Sequence, residues 1–328
     1  MLEFVLQIRG PNFSAILWFR RSIVAILLSF GLEQMTHTNL LQAQVASSLA
    51  EWQIALDGQG YSPGCIDGKL GSRTKLALIA WQETHGIKVD GIMGPESEKM
   101  LIGTNSDWFT HYIVSEEDIG SLGSVPETWK GKSEQPTLPY TTVLEMVAEK
   151  FHSTELFIQT LNSQVNFNSI HPSQTLNVPN VLGPKTYEKA SHVRVELNRK
   201  IIVVYGNRDQ IIGFFPCSIG KDKERRPVGE LRVIAMAPNP NFTWDPAVFV
   251  ESPEAKTITG KLIIPPGPNN PVGTYWIGLD RTGYGIHGTP KPEDIGKTES
   301  HGCFRLANWN VEALARMIEI GTPVLIEQ

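Results

Sequence analysis

The chain has 328 residues, a formal net charge of -5 and a pI near 5.9, with ordinary globular composition. That length allows two or three domains of about 100–150 residues each, and no basic stripe exists to neutralise phosphates, which argues against nucleic acid as a main partner. The three cysteines, Cys65, Cys217 and Cys303, are an odd number at distant places without zinc-site spacing, so neither a metal nor another cofactor is expected.

At the N-terminus Arg20-Arg21 precedes the apolar run Ser22–Leu32, and a small-residue site, Leu41-Gln42-Ala43, follows. This is the order of a secretory signal, and the run is shorter than the ~20 apolar residues that span a bilayer. Residues 1–43 are therefore read as an export signal or an N-terminal membrane anchor. The second apolar piece, Phe13–Phe19, keeps the anchor open. Either way the protein is expected outside the cytoplasm, in a periplasm or cell wall.

Residues 44–104 read as three short helices joined by glycine turns. Leu49, Trp52 and Leu56 share one helical face, Ser72 is placed to cap a second helix with Leu76, Ala80 and Trp81 inward, and Pro95 opens a third with Glu96 and Glu98 at its positive end. Between them Asp67-Gly-Lys-Leu-Gly71 and Asp90-Gly-Ile-Met-Gly94 repeat a D-G-x-x-G element, which by itself is a turn signal. Together with Gly60-Tyr-Ser-Pro-Gly64 and Ala80-Trp-Gln82, the repeat resembles the peptidoglycan-binding domain of wall-modifying enzymes. That resemblance implies peptidoglycan as a partner.

In residues 106–181, Thr142-Val-Leu-Glu145 forms a capping-box pattern opening a helix with Leu144, Val147, Ala148 and Phe151 apolar. Ser153 can start a second helix ending near Asn162, and Thr175–Val178 reads as a strand before Pro179. With His111–Val114 as a first strand, this βααβ order resembles a LysM module, a binder of N-acetylglucosamine-containing glycans. The segment departs from that pattern in Ser115–Glu117 and in the polar insertion Gly120–Pro139, so it reads as a diverged module.

From His192 the pattern shifts to period two. Val193–Leu197 and Ile201–Tyr205 flank the hairpin signal Asn198-Arg199, and Ile211–Ile219 follows, which predicts a mostly-β domain, sandwich or barrel-like, over 190–328. The insertion Ala237–Lys261 carries Phe242, Trp244 and Phe249 and is either a lid over the site or a surface loop with its own apolar cluster. Asn308 is placed to cap a last helix with Val311, Leu314, Ala315 and Ile318 inward, before a final strand Val324–Ile326. The fold class is thus multidomain α+β.

The chemistry concentrates in Ile286–Asn308. His287 precedes Cys303, which lies in Ser300-His301-Gly302-Cys303. A thiol is a weak nucleophile until it loses its proton, so a nearby imidazole and a glycine-flanked backbone suit nucleophilic catalysis with an oxyanion site. A lone Cys or His is more often a structural residue; the pair is what points to catalysis. His287-Gly288, Gly296, Ser300, His301, Gly302, Cys303, Phe304, Arg305 and Asn308 resemble the signature of the L,D-transpeptidase (YkuD-type) family, and Pro227-Val-Gly229 and Pro265–Gly273 resemble its glycine-proline corners. Arg226 departs from that family's usual Thr, and Asn310 from its usual Asp.

The resemblance implies acyl transfer through a Cys303 thioester on a peptidoglycan stem tetrapeptide, with His287 as base. Gly288 would fix its tautomer, and backbone groups around Ser300, His301 and Gly302 would support the oxyanion. Arg305 and Asn308 are candidates for substrate contact, Arg305 equally for a structural ion pair. Two alternatives stay open: a carboxypeptidase or endopeptidase in which water resolves the thioester, and a catalytically silent peptidoglycan-binding scaffold. Cys65 and Cys217 are left either as a cross-domain disulfide or as two unpaired buried thiols.

Overall fold

The computed structural model describes residues 48–181, 187–220, 226–297 and 302–328. The export-signal segment lies outside them. No helix among the described residues is long and apolar enough to cross a membrane.

The first module is three helices, α1 (residues 48–58), α2 (Ser72–Thr84) and α3 (Pro95–Leu101). The D-G-x-x-G turns are held from the preceding helix by a glutamine in each case. Gln53 accepts from the backbone N–H of Asp67 (3.0 Å) and Gly68 (2.9 Å) and donates to the Asp67 carboxylate (2.9 Å). Gln82 repeats this with Asp90 N–H (3.1 Å), Gly91 N–H (2.8 Å) and the Asp90 carboxylate (3.2 Å). Gly68 and Gly91 both sit at φ 66°, a left-handed conformation glycine adopts at no steric cost. Ser72 is the first residue of α2 and not its cap: Gly71 occupies that position and brings no side-chain bond.

The second module pairs β1 (Phe109–Ile113) antiparallel with β2 (Thr175–Pro179) and places α6 (Val143–Lys150) and α7 (Glu155–Leu161) between them in sequence, the expected βααβ order. The two departures contribute a short helix each, α4 (Glu116–Gly120) at Ser115–Glu117 and α5 (Trp129–Ser133) in the polar insertion. Only half of the expected capping box forms at α6. Thr142 Oγ1 accepts from Glu145 N–H (3.0 Å), but the Glu145 carboxylate turns to Thr141 N–H (2.8 Å) and the Asn269 amide (2.6 Å). The cap of α7 is Thr154, because Ser153 Oγ is drawn to Ile66 O in the first module (2.8 Å).

The third region is one mixed sheet of eight strands in the order β11-β10-β9-β6-β12-β3-β4-β5. These are β3 (His192–Glu196), β4 (Ile201–Tyr205), β5 (Ile211–Pro216), β6 (Gly229–Pro238), β9 (Tyr275–Leu279), β10 (Gly285–His287), β11 (Phe304–Arg305) and β12 (Pro323–Glu327). A short separate pair, β7 (Phe242–Trp244) and β8 (Leu262–Ile264), belongs to the insertion. Just past β5, Ser218 forms an antiparallel bridge to Arg305 of β11, through Ser218 N–H to Arg305 O and Arg305 N–H to Ser218 O, both 2.9 Å. The two edges of the sheet thus meet at one point, which makes the domain barrel-like. The interior is filled by Val193, Val195, Ile202, Val204, Phe215, Ile277, Ile286 and Phe304, with Val311 and Leu314 from α8 (Asn308–Met317).

The modules share core. Ile201, Val203 and Phe214, on the other face of β4 and β5, pack with Leu56, Leu78 and Trp81 of the first module. Ser62 N–H bonds to Phe214 O and Phe214 N–H to Gly60 O, both 2.9 Å, so the first module covers the exposed edge of β5. The insertion Ala237–Lys261 builds its own apolar cluster: Trp244, buried, with Phe242 and Phe249, packs against Leu138 and Trp129 of the second module's insertion. Cys65 and Cys217 are buried and unbridged.

Candidate active site

The site grows out of the register of three strands. β10 runs parallel to β11 with Ile286 opposite Phe304 and His287 opposite Arg305, and antiparallel to β9 with His287 opposite Trp276. Ile286 and Phe304 are fully buried in the barrel interior. Side chains alternate along a strand, so His287 and Arg305 project together from the opposite face, and Cys303 immediately precedes β11. The parallel pairing thus brings the strand that ends at His287 against the strand that Cys303, sixteen residues on, immediately precedes.

His287 is buried and its ring stacks on Trp276, with centroids 5.6 Å apart and an 18° interplanar angle. Its Nδ1 lies 2.7 Å from Gly288 O. A carbonyl only accepts, so Nδ1 carries the proton and Nε2 keeps its lone pair. Burial pulls the His287 pKa down to about 4, and the Arg305 charge adds to that, against the opposing pull of the Gly288 bond. The ring is therefore neutral at physiological pH.

Cys303 is half-buried, and Sγ lies 3.5 Å from Gly283 O. Burial pushes its thiol above the usual range, opposed by a backbone bond from Gly285 and by the Arg305 charge. Arg305 is half-buried; burial draws it below the usual guanidinium value, while the Asp294 carboxylate favours its charge. Gly302 has φ 155°, outside the range most side chains adopt, and Gly220 packs against it so tightly that a Cβ on Gly220 would lie 2.9 Å from Gly302 Cα. Arg226, at the family-departure position, donates from Nε to Gly220 O at 2.7 Å.

Asn308 is buried at 1% exposure and is the first residue of α8; it makes no capping bond. Its amide donates to both carboxylate oxygens of Glu149 (3.0 and 3.1 Å) and accepts from Thr274 N–H (3.2 Å). Its Oδ1 occupies the space where a side chain on Gly288 or Gly273 would go, since a Cβ there would lie 2.2 and 2.0 Å away. Ser300 and His301 lie outside the described residues.

The segment after His287 is clamped from all sides. Ser218 Oγ accepts from Gly296 N–H (2.9 Å), Lys200 donates to Gly296 O (3.0 Å), and Arg73 of the first module donates to Ile295 O (2.9 Å). Ser218, Gly220 and Glu149 were invisible to motif reading; Ser218 and Gly220 follow a strand whose edge position no local pattern discloses, and Glu149 reads as an ordinary helix-surface carboxylate. Among the described residues no group of three or more His, Cys, Asp or Glu side chains is spaced to hold a metal ion.

Residues 190–326 match the family model "L,D-transpeptidase catalytic domain" (YkuD), and residues 46–101 match a "Putative peptidoglycan binding domain". A Bacillus licheniformis protein, "Putative L,D-transpeptidase YkuD", is 29% identical over 183 residues, covering 56% of this chain and 92% of its own. "Putative L,D-transpeptidase YqjB" of Bacillus subtilis is 35% identical over 132 residues, 39% of this chain and 65% of its own. An L,D-transpeptidase structure from Xylanimonas cellulosilytica aligns over 85% of this chain and 93% of its own, at 16% identity and a TM-score of 0.36.

Proposed function

We propose that the chain is a cysteine-dependent L,D-transpeptidase that joins peptidoglycan stem peptides through a thioester on Cys303. The observation that carries this reading is the parallel pairing of β10, which carries His287, with β11, which Cys303 immediately precedes, together with the His287 tautomer set by Gly288. A depressed imidazole and a raised thiol favour a neutral pair in the resting enzyme, so the proton moves as the thiol attacks. Sγ bonds to the stem carbonyl carbon while His287 Nε2 takes the thiol proton. The C–N bond then breaks and that proton leaves with the departing D-amino acid amine. An acceptor amine next attacks the thioester carbonyl, giving its proton to His287, and the C–S bond breaks to regenerate the thiol.

Backbone N–H groups of the Ser300–Cys303 turn would hold the oxyanion, which Gly302 allows to approach closely. Arg305, beside the nucleophile, would meet a substrate carboxylate with its planar fork. The first module would hold the enzyme on peptidoglycan, and the βααβ module would be a LysM-like glycan contact. Both would suit a protein working outside the cytoplasm, secreted or held by its N-terminal segment.

Mass spectrometry of wild type and Cys303→Ala, incubated with disaccharide-tetrapeptide with and without an acceptor stem, tests the reading. An acyl adduct on wild-type Cys303 followed by a dimeric product is expected, with neither in Cys303→Ala. A trimmed tripeptide without dimer would make the enzyme a hydrolase, and a folded protein with neither adduct nor turnover would leave a wall-binding scaffold.

A further inference from the structure

The second module reaches the catalytic histidine through one carboxylate. Glu149 ends α6 on the side facing α8, where it receives three hydrogen bonds, two from the Asn308 amide (3.0 and 3.1 Å) and one from Tyr140 OH (2.7 Å). With its amide nitrogen committed to Glu149, Asn308 must present Oδ1 the other way. There it accepts from Thr274 N–H and fills the space over Gly273 and Gly288. Rotating the amide by half a turn would set its N–H₂ against the Thr274 N–H and take an acceptor away from it, which the geometry does not tolerate. Gly288 is in turn the residue whose carbonyl holds His287 Nδ1.

We propose that Glu149 is a positioning residue for His287: it orients Asn308, which seats Gly288 and so keeps the imidazole in the tautomer that leaves Nε2 free to take the thiol proton. On this view the second module is part of the catalytic machinery whatever it does with glycans. The inference rests on His287 being the base of the reaction proposed above.

Two features support a role beyond packing. Both carboxylate oxygens are used as acceptors by one amide, an arrangement that specifies orientation and not merely contact. Asn308 Oδ1 also leaves no room for a side chain at 273 or 288, since a Cβ at either would lie 2.0 or 2.2 Å from it, although Gly273 is also required by its φ of 65° and by the Gly288 backbone. The contact is therefore built from three regions of the chain.

The test uses the full chain and disaccharide-tetrapeptide substrate. Glu149→Ala is expected to lower kcat roughly ten- to hundredfold with KM within about threefold, the scale of a misplaced catalytic group. Glu149→Gln, which keeps one acceptor for Asn308, is expected to recover most of that loss. Long-range ¹H–¹⁵N spectra of histidine-labelled protein, with His287 assigned from a His287→Gln sample, read the tautomer directly. Wild type and Glu149→Gln should show the Nδ1-protonated form and Glu149→Ala a mixture.

A folded Glu149→Ala protein with wild-type kcat and an unchanged His287 tautomer would overturn the proposal, as would a loss confined to KM. If Glu149→Ala does not fold, Glu149→Gln decides: recovered kcat and tautomer support the proposal, and lost kcat with a wild-type tautomer refutes it. The spectra need no turnover. A transpeptidase reading that fails in the Cys303→Ala comparison is thus distinguished from a positioning role that fails here.

Discussion

His287 can take a proton from Cys303 only while it is neutral, and its setting decides where that condition ends. Burial holds its pKa down at about 4, with the Arg305 charge adding to it against the Gly288 bond, below the ordinary value of 6.5, and Trp276 is one wall of that burial. The acid limb of kcat/KM should therefore fall well below pH 6.5, toward about 4. Trp276→Ala would readmit water to the ring and move that limb upward by one pH unit or more, read from pH–rate profiles of the two proteins. An unmoved limb would show that another wall desolvates the ring. At the same scale, Gly220→Ala places a Cβ against the Gly302 backbone, so it should lower kcat by about tenfold or more while the circular dichroism spectrum is unchanged. The sequence made Cys303 and His287 legible because nucleophile and base each need a particular residue type. It left Gly220 and Glu149 illegible, since their roles depend on what the fold brings against them.

Each D-G-x-x-G turn is only half of an element; the other half is the glutamine one helix earlier. Gln53 and Gln82, each following a tryptophan, bind the two successive turns by the same set of bonds, so the repeat unit is Trp-Gln, a spacer and Asp-Gly. Gln82→Ala strands two backbone N–H groups, of which Gly91 N–H is buried. It should cost roughly 1–3 kcal/mol, measured as a lowered denaturant midpoint followed by tryptophan fluorescence. A change below about 0.5 kcal/mol would mean water replaces the side chain. Strand pattern was legible in the same uneven way. β3 alternates buried and half-buried residues because one face is partly open, whereas Ile201–Val204 of β4 is buried throughout. The unbroken apolar run in β4 is the mark of a strand covered on both sides. What covers the second side, the first module, lies more than a hundred residues away.

Residues 49–328 form one compact unit in which three sequence modules share cores and bond to Glu293, Ile295 and Gly296 after His287. Glu149 makes that unity measurable. Burial raises its pKa to about 7, against the donors Asn308 and Tyr140 and with Glu145 and Glu312 adding to the rise; Glu155, Lys291, Glu293 and Asp294 line the same cavity. Between pH 4.5 and about 7 the folded protein keeps a proton on Glu149 that the unfolded chain has lost, so this group makes stability fall as pH rises. His287 acts oppositely. Between about 4 and 6.5 the unfolded chain holds the extra proton, and stability rises with pH. Either group alone gives a slope of up to about 1.4 kcal/mol per pH unit, so in wild type the two oppose each other over pH 4.5–6.5. Glu149→Gln should unmask the His287 slope, seen as a melting temperature that climbs with pH across that window more steeply than in wild type; parallel curves would refute the assignment. The sequence by itself determined the local elements and named the candidate nucleophile and base, because such residues, turn glycines and helix starts are properties of residue type and short spacing. Only the tertiary structure decided that the sheet closes at Ser218 and Arg305, that the first module covers the edge of β5, and that a carboxylate from the second module stands behind Asn308 and Gly288. Those contacts join residues from about 85 to 160 positions apart, and nothing in the local pattern of either partner encodes the other.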